Sequence, residues 1–205
     1  PPGTGAAVPQ CPKGFYGAAQ GLKSVENCTR CVAGKYTNEV GQTQCKGSAC
    51  VAGRFAADAQ TSAVTCQACV AGQYADSAGL PVCKGSPCVA GKFFEHEAQS
   101  SVVTCKKCIA GQYQDQMAQT DCKGTACVAG KFFEQVAQTA SVVCKDCVAG
   151  QHQEQTAQTN CKGTACVTGK FFEQAGQTAP VTCKDCAAGQ HQDETAQTGC
   201  KGTVC

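Results

Sequence analysis

"CKGTACVAGKFFEQ" (residues 122–135) recurs as "CKGTACVTGKFFEQ" (residues 161–174), with Ala129 against Thr168 as the only difference. The two copies lie 39 residues apart, and each carries two cysteines. Working outward, the cysteines fall at 11, 28, 31, 45, 50, 66, 69, 83, 88, 105, 108, 122, 127, 144, 147, 161, 166, 183, 186, 200 and 205. Their gaps run 17, 3, 14, 5, then 16, 3, 14, 5, then three rounds of 17, 3, 14, 5. Residues 127–165 and 166–204 match at 29 of 39 positions. The copied stretch is therefore the seam of a tandem repeat. Repeats span 11–49, 50–87, 88–126, 127–165 and 166–204, after a Pro/Gly-rich start at 1–10 that reads as a linker or processed end. Cys205 reads as the start of a further repeat, cut short.

Each repeat divides again into an A half and a B half. Position 0 is the first cysteine of a half: 11, 50, 88, 127 and 166 for A, and 31, 69, 108, 147 and 186 for B. Position +3 is glycine in all ten halves, from Gly14 to Gly189. Position +5 is always a ring: Tyr16, Tyr36, Phe55, Tyr74, Phe93, Tyr113, Phe132, His152, Phe171 and His191. A glycine there supplies a positive φ or a close approach of two backbones. The ring two residues on shares a face with it in an extended segment and is expected to cover the neighbouring cysteines as a minimal core.

Composition agrees with a cross-linked scaffold. The chain has 205 residues and 21 cysteines, no Trp, one Met, and Leu only at Leu22 and Leu80. So little aliphatic material cannot offset an ordering entropy of roughly 1–2 kcal/mol per residue. Disulfides are the usual substitute, and they require an oxidising compartment, here extracellular or cell-surface. The net charge is +2, with both signs mixed along the chain, which excludes a polybasic nucleic-acid or membrane surface. No apolar run approaches the ~18 residues of a membrane span. The expected fold is small, disulfide-rich, mostly β and loop, with repeats stacked as an elongated rod. "KFFEQ" and "GQYQD" read as short strands, and "AGQ", "KGT" and "AGLP" as turns. "EQVAQTA" has helical propensity but is too short to hold a helix alone.

Residues 11–45, "CPKGFYGAAQGLKSVENCTRCVAGKYTNEVGQTQC", resemble the cysteine-rich repeats of ephrin-receptor-like type, relatives in style of tumour-necrosis-factor-receptor modules. The resemblance extends over 11–205 and implies an extracellular, disulfide-laddered rod of short β-hairpins. It implies no particular function. The chain departs from the pattern where every second junction is Cys-x4-Cys, and where the ring becomes His152 or His191. Its four-cysteine period also differs from the six-cysteine receptor module, so receptor pairing does not transfer.

Two pairing schemes use the cysteines in order. One bridges each half: Cys11–Cys28, Cys31–Cys45, Cys50–Cys66, Cys69–Cys83, Cys88–Cys105, Cys108–Cys122, Cys127–Cys144, Cys147–Cys161, Cys166–Cys183 and Cys186–Cys200, leaving Cys205. The other bridges the junctions, Cys28–Cys31 through Cys200–Cys205, leaving Cys11. Interlocked pairing between neighbouring halves stays open. Bridging within halves is favoured, because loops of this length gain roughly 3 kcal/mol each whereas short Cys-x-x-Cys bridges typify reactive sites.

Catalytic chemistry finds no foothold. Three histidines and scattered carboxylates form no nucleophile–base pattern, and the glycines follow cysteines rather than forming a phosphate loop. Zinc-ribbon spacing occurs at 66–69 and 83–88, but the cysteine array is unbroken, so neither metal nor cofactor is expected. His152 and His191 read as packing rings. Asn27-Cys28-Thr29 is the only glycosylation sequon; it reads either as a glycan attachment site, with glycans among the expected partners, or as a site left unused because the bridged Cys28 hinders it.

"KFFE" recurs at 92–95, 131–134 and 170–173. In a strand one Phe of each pair faces inward and the other outward. Phe93, Phe132 and Phe171 are therefore assigned to the core, and Phe94, Phe133 and Phe172 to the opposite face, either as a periodic apolar stripe that contacts other copies or chains or packed on the next half-repeat of their own chain. Near-identical repeats favour a non-enzymatic structural subunit of a fibre, surface coat or flagellar-hair-like appendage. The alternative is the stalk or ligand-binding ectodomain of a surface receptor or adhesin, for which one repeat should differ from its neighbours. The departures visible at 52–60 and 77–82 are modest.

Overall fold

The computed structural model describes residues 10–17 and 24–204. The first nine residues and Cys205, expected as linker and as the start of a further repeat, lie outside the described residues. All twenty cysteines from Cys11 to Cys200 are bridged, each within its own half, as the first scheme expects. The closed loops span 14, 16 or 17 residues, and each contributes about 3 kcal/mol in the chain-entropy model.

Each A half folds as a two-residue hairpin: β1 (Phe15–Tyr16) with β2 (Thr29–Arg30), β3 (Arg54–Phe55) with β4 (Gln67–Ala68), β5 (Lys92–Phe93) with β6 (Lys106–Lys107), β7 (Lys131–Phe132) with β8 (Lys145–Asp146), and β9 (Lys170–Phe171) with β10 (Lys184–Asp185). The register places the ring opposite the residue that follows the second cysteine, as in Phe132 opposite Lys145. The Cys127–Cys144 bridge holds those two segments together. In the B halves the ring residue makes one antiparallel bridge, Tyr36 to Lys46, Tyr74 to Lys84, Tyr113 to Lys123, His152 to Lys162 and His191 to Lys201. So "KFFEQ" yields a strand of two residues, and "GQYQD" only isolated bridges at Tyr113, antiparallel to Lys123 and parallel to Gln138. Residues 134–140, "EQVAQTA", form bends and the single bridge residue Gln138 rather than helix. A 3-10 turn, Val25–Asn27, is the only helix among the described residues.

Successive halves are joined by main-chain hydrogen bonds that repeat along the chain. The position-0 amide donates to the preceding half, as in Cys147 to Gly130 at 2.9 Å and Cys166 to Ala149 at 2.9 Å. In return, a residue with positive φ in the following half donates to the position-0 carbonyl, as in Ala157 to Cys127 and Gly176 to Cys147, both at 2.7 Å. That residue is glycine at Gly41, Gly79 and Gly176, but alanine at Ala59, Ala98, Ala137, Ala157 and Ala196, with φ between 52° and 60°. Except at Gly79, where Leu80 follows, the next residue is a glutamine, and its carbonyl accepts from position +6 of the preceding half, as in Gln153 to Gln177 at 2.9 Å. The recurring Ala-Gln and Gly-Gln pairs are thus clamps between halves.

Position +3 fulfils both expected roles of glycine. Gly130 has φ +82°, and a β-carbon there would stand 2.2 Å from the Gly176 carbonyl oxygen. Gly150 has φ +92°, and its β-carbon would meet the Cys166 amide nitrogen at 2.6 Å.

The buried set is smaller than expected. Its apolar part consists of position-0 cysteines such as Cys31, Cys69 and Cys108, together with Ala33, Ala56, Ala71, Ala75, Ala110 and Ala149. The rings are half-buried rather than central, and His191 is exposed. The in-and-out alternation expected of the Phe pairs is also not reproduced. Each strand ends at the first Phe, and both members of each pair are half-buried. The amide of the second is used by the clamp: Phe133 donates to Gln158 and Phe172 to Gln197.

By internal contacts the chain divides into two units, Pro1–Cys88 with Phe94–Cys105, and Val89–Phe93 with Lys106–Cys205. Each unit is built from the same bridged halves and the same clamps.

Candidate functional site

What the fold exposes at regular intervals is apolar and charged. The residue after each position-0 cysteine is solvent-facing in most halves: Val32, Val51, Val89, Ile109, Val128, Val148 and Val167 are 39–63% exposed. These side chains, missed by the sequence reading, leave the buried cysteine pointing outward. Phe94, Phe133 and Phe172 are less open, and Phe94 meets His96 edge-to-face at 6.4 Å.

Ion pairs repeat with the period. In the B halves the lysine after the second cysteine reaches back eight residues: Lys84 to Asp76 at 2.8 Å, Lys123 to Asp115 and Lys201 to Asp193 at 2.6 Å, and Lys162 to Glu154. In the A halves Lys131 pairs with Asp146 and Lys170 with Asp185 across the hairpin, while Lys145 pairs with Glu134 and Lys184 with Glu173. A hydrogen bond from lysine holds the carboxyls of Asp76, Asp115, Glu134, Glu154, Glu173 and Asp193 below their usual range. All are on the surface, so these pairs add little stability. In repeat 3 the cross-hairpin pair alone is changed, because Lys107 stands where repeats 4 and 5 have aspartate and lies opposite Lys92.

Buried polar side chains are structural. Gln114 donates to the Asp121 carbonyl at 2.8 Å and accepts from the Gln116 amide at 3.2 Å. Gln153 and Gln192 repeat this on Asn160 and Gly199. In repeat 1 the same place holds Thr37, which accepts from the Gly14 amide at 2.7 Å. Each glutamine closes its own loop, so none offers a free reactive group. With the described cysteines oxidised, no thiolate remains among them to serve as a ligand or nucleophile. His152 Nε2 lies 3.7 Å from Glu154, and no group of three or more His, Cys, Asp or Glu among the described residues is arranged to hold a metal ion.

Asn27 is exposed at the end of the 3-10 turn, whose start is capped by Ser24, and Thr29 of the sequon is exposed as the first residue of β2. Beside Thr29 lies an open cleft of about 330 Å³, lined by Tyr16, Thr29, Arg30, Val32, Lys35, Gln44 and Cys45. Arg30 caps the Phe15 ring at 5.8 Å and meets Asp58 at 3.3 Å.

No helix among the described residues is long and apolar enough to cross a membrane. Tandem units stapled by ten disulfides mark an extracellular structural or surface protein. No known family model matches the chain, and no curated protein matches it.

Proposed function

We propose that this chain is a structural subunit, or part of one, of an extracellular fibre, surface coat or flagellar-hair-like appendage. The observation that carries the reading is the repetition of one clamp from half to half, with an exposed valine or isoleucine beside it. Each half is too small for a core of its own and is completed by its neighbour, as in other repeat proteins. An apolar side chain presented at each period is a contact surface for a chain with the same period, so copies of this chain are the natural partner. The likeness to ephrin-receptor-like repeats supports an extracellular setting. Glycan on Asn27 fits the same reading, because the acceptor side chain is free.

The Phe94, Phe133 and Phe172 stripe and the valine stripe are tested side by side. Changing the three phenylalanines together to Ser should abolish fibre assembly seen by electron microscopy and sedimentation. Since these rings are half-buried, Val89→Thr, Val128→Thr and Val167→Thr form a second triple variant confined to side chains 50–52% exposed. Normal assembly by both variants, with monomers that melt like the parent, refutes the structural reading. A receptor or adhesin stalk is the second reading, favoured by the cleft in repeat 1.

A further inference from the structure

The cleft in repeat 1 is built from residues that the other repeats do not have. Tyr16 stands where they carry Phe55, Phe93, Phe132 and Phe171. Lys35 stands where they carry Gln73, Gln112, Gln151 and Gln190. Arg30 corresponds to Ala68, Lys107, Asp146 and Asp185, and Gln44 to Val82, Asp121, Asn160 and Gly199. Thr29 corresponds to Gln67 and three lysines. In repeats 2, 4 and 5 the glutamine matching Lys35 bonds the carbonyl of the following Lys-Gly turn, at Gly85, Gly163 and Gly202. Lys35 brings a cation to the lining of the cleft where the other repeats carry a neutral amide.

We propose that this cleft binds an anionic saccharide, a sugar unit bearing a carboxylate or a sulfate. Its volume of about 330 Å³ lies at the small end of the ~300–1,000 Å³ of small-ligand sites. Two cations, Arg30 and Lys35, face it, against the single carboxylate of Asp58 that shares Arg30. The Arg30 side chain is 65% exposed, and its guanidinium has donors beyond the one given to Asp58. The Tyr16 ring and Val32 offer apolar contact to the C–H face of a sugar. The Thr29 hydroxyl, Tyr16 hydroxyl and Gln44 amide offer partners for its hydroxyls. A peptide fits less well. The flanking main chain is already used, with Gly17 donating to Gln42, Lys35 to Val32 and Tyr36 to Lys46, so strand addition has no open edge there. The site does not depend on fibre assembly and goes beyond the structural reading.

The intact chain is titrated by calorimetry with four probes: a trigalacturonate, a sulfated uronic acid–glucosamine hexasaccharide, a neutral chito-oligosaccharide and a hexaglutamate peptide. At least one acidic sugar binds, more tightly than the neutral sugar or the peptide, and the tighter of the two identifies the anion. Lys35→Gln and Arg30→Ala place in repeat 1 residues that repeat 2 carries at the same positions, so folding is preserved and the sequon is intact. Each weakens acidic-sugar binding roughly 10- to 100-fold, as expected for one charge-assisted hydrogen bond. Lys107→Ala removes the same charge from the matching position of repeat 3 and leaves binding unchanged. Failure of both acidic sugars to bind, equal binding of the neutral sugar, tighter binding of the peptide, or an equal loss in Lys107→Ala overturns the assignment.

Discussion

The sharpest test of the packing between halves compares Gly130→Ala with Gly169→Ala. Both glycines occupy position +3 of an A half, with φ of +82° and +79°. Placing a β-carbon at such a φ costs about 1–2 kcal/mol at either site. At Gly169 nothing lies within 4 Å of the new carbon. At Gly130 it falls 2.2 Å from the Gly176 carbonyl oxygen and 2.9 Å from its carbon, both backbone atoms that no rotamer can move. The two segments must separate by about 1 Å to restore ordinary contact distances. That movement stretches the bonds Gly130 to Gln153, Cys147 to Gly130 and Gly176 to Cys147, now 2.7, 2.9 and 2.7 Å. At ~0.5–1.5 kcal/mol each and partial loss, this adds about 1–3 kcal/mol. Gly130→Ala should therefore destabilise by about 2–5 kcal/mol and Gly169→Ala by about 1–2 kcal/mol. Amide hydrogen exchange under non-reducing conditions reads the effect locally, which suits an array that need not unfold in one step. Faster exchange at the Cys147 and Gly176 amides is expected in Gly130→Ala only. Equal effects of the two substitutions, with exchange at those amides unchanged, would refute close approach as the reason for glycine.

Lys107→Asp should raise the melting temperature, because it replaces a like-charge pair with Lys92 by the pair that Lys131 makes with Asp146. The gain is about 0.2–1 kcal/mol and should vanish in concentrated salt; a loss of stability at low salt contradicts the register. Acid should weaken the fold slightly. The carboxyls of Asp76, Asp115, Glu134, Glu154, Glu173 and Asp193 titrate lower folded than unfolded, so their contribution is present above the unfolded pKa and fades as pH falls through the folded one. Because all are exposed, circular dichroism at pH 2 should still report the folded chain, and acid unfolding would show that these pairs matter more than the bridges. Reduction of the ten bridges removes about 3 kcal/mol each and should collapse the array, whereas a chelator should leave it unchanged. A melting shift on chelation would indicate a metal.

The period, the pairing within halves and the glycines were legible because each is fixed by covalent or steric constraint. Cysteine spacing sets the loop, and position +3 needs a positive φ, with neighbouring backbone closing in on it at sites such as Gly130 and Gly150. The clamp was not legible. Ala59, Ala98, Ala137, Ala157 and Ala196 adopt a conformation that alanine rarely takes, each holding it as the counterpart of the clamp residue that is glycine at Gly41, Gly79 and Gly176. Reading alanine and glycine as alternates at one place would have revealed it. The buried glutamines were hidden by their polarity, although Gln114, Gln153 and Gln192 all directly follow the ring. The in-and-out alternation of the Phe pairs did not carry over, because it presumes a strand that continues, and here the strand ends at the first Phe while the amides of Phe133 and Phe172 serve the clamp. The cleft of repeat 1 could be recognised only after folding had brought Tyr16, Arg30 and Lys35 together.

The claim that each half is closed by its own disulfide is tested most directly by a non-reducing tryptic map of repeat 4. Cleavage after Lys123, Lys131, Lys145 and Lys162 gives peptides 124–131, 132–145 and 146–162. Bridges Cys127–Cys144 and Cys147–Cys161 predict that 124–131 and 132–145 run as one linked pair. Peptide 146–162 should run alone, lighter by two hydrogens than its reduced form. A covalent link between 132–145 and 146–162 would mean bridging across the junction and would contradict the account.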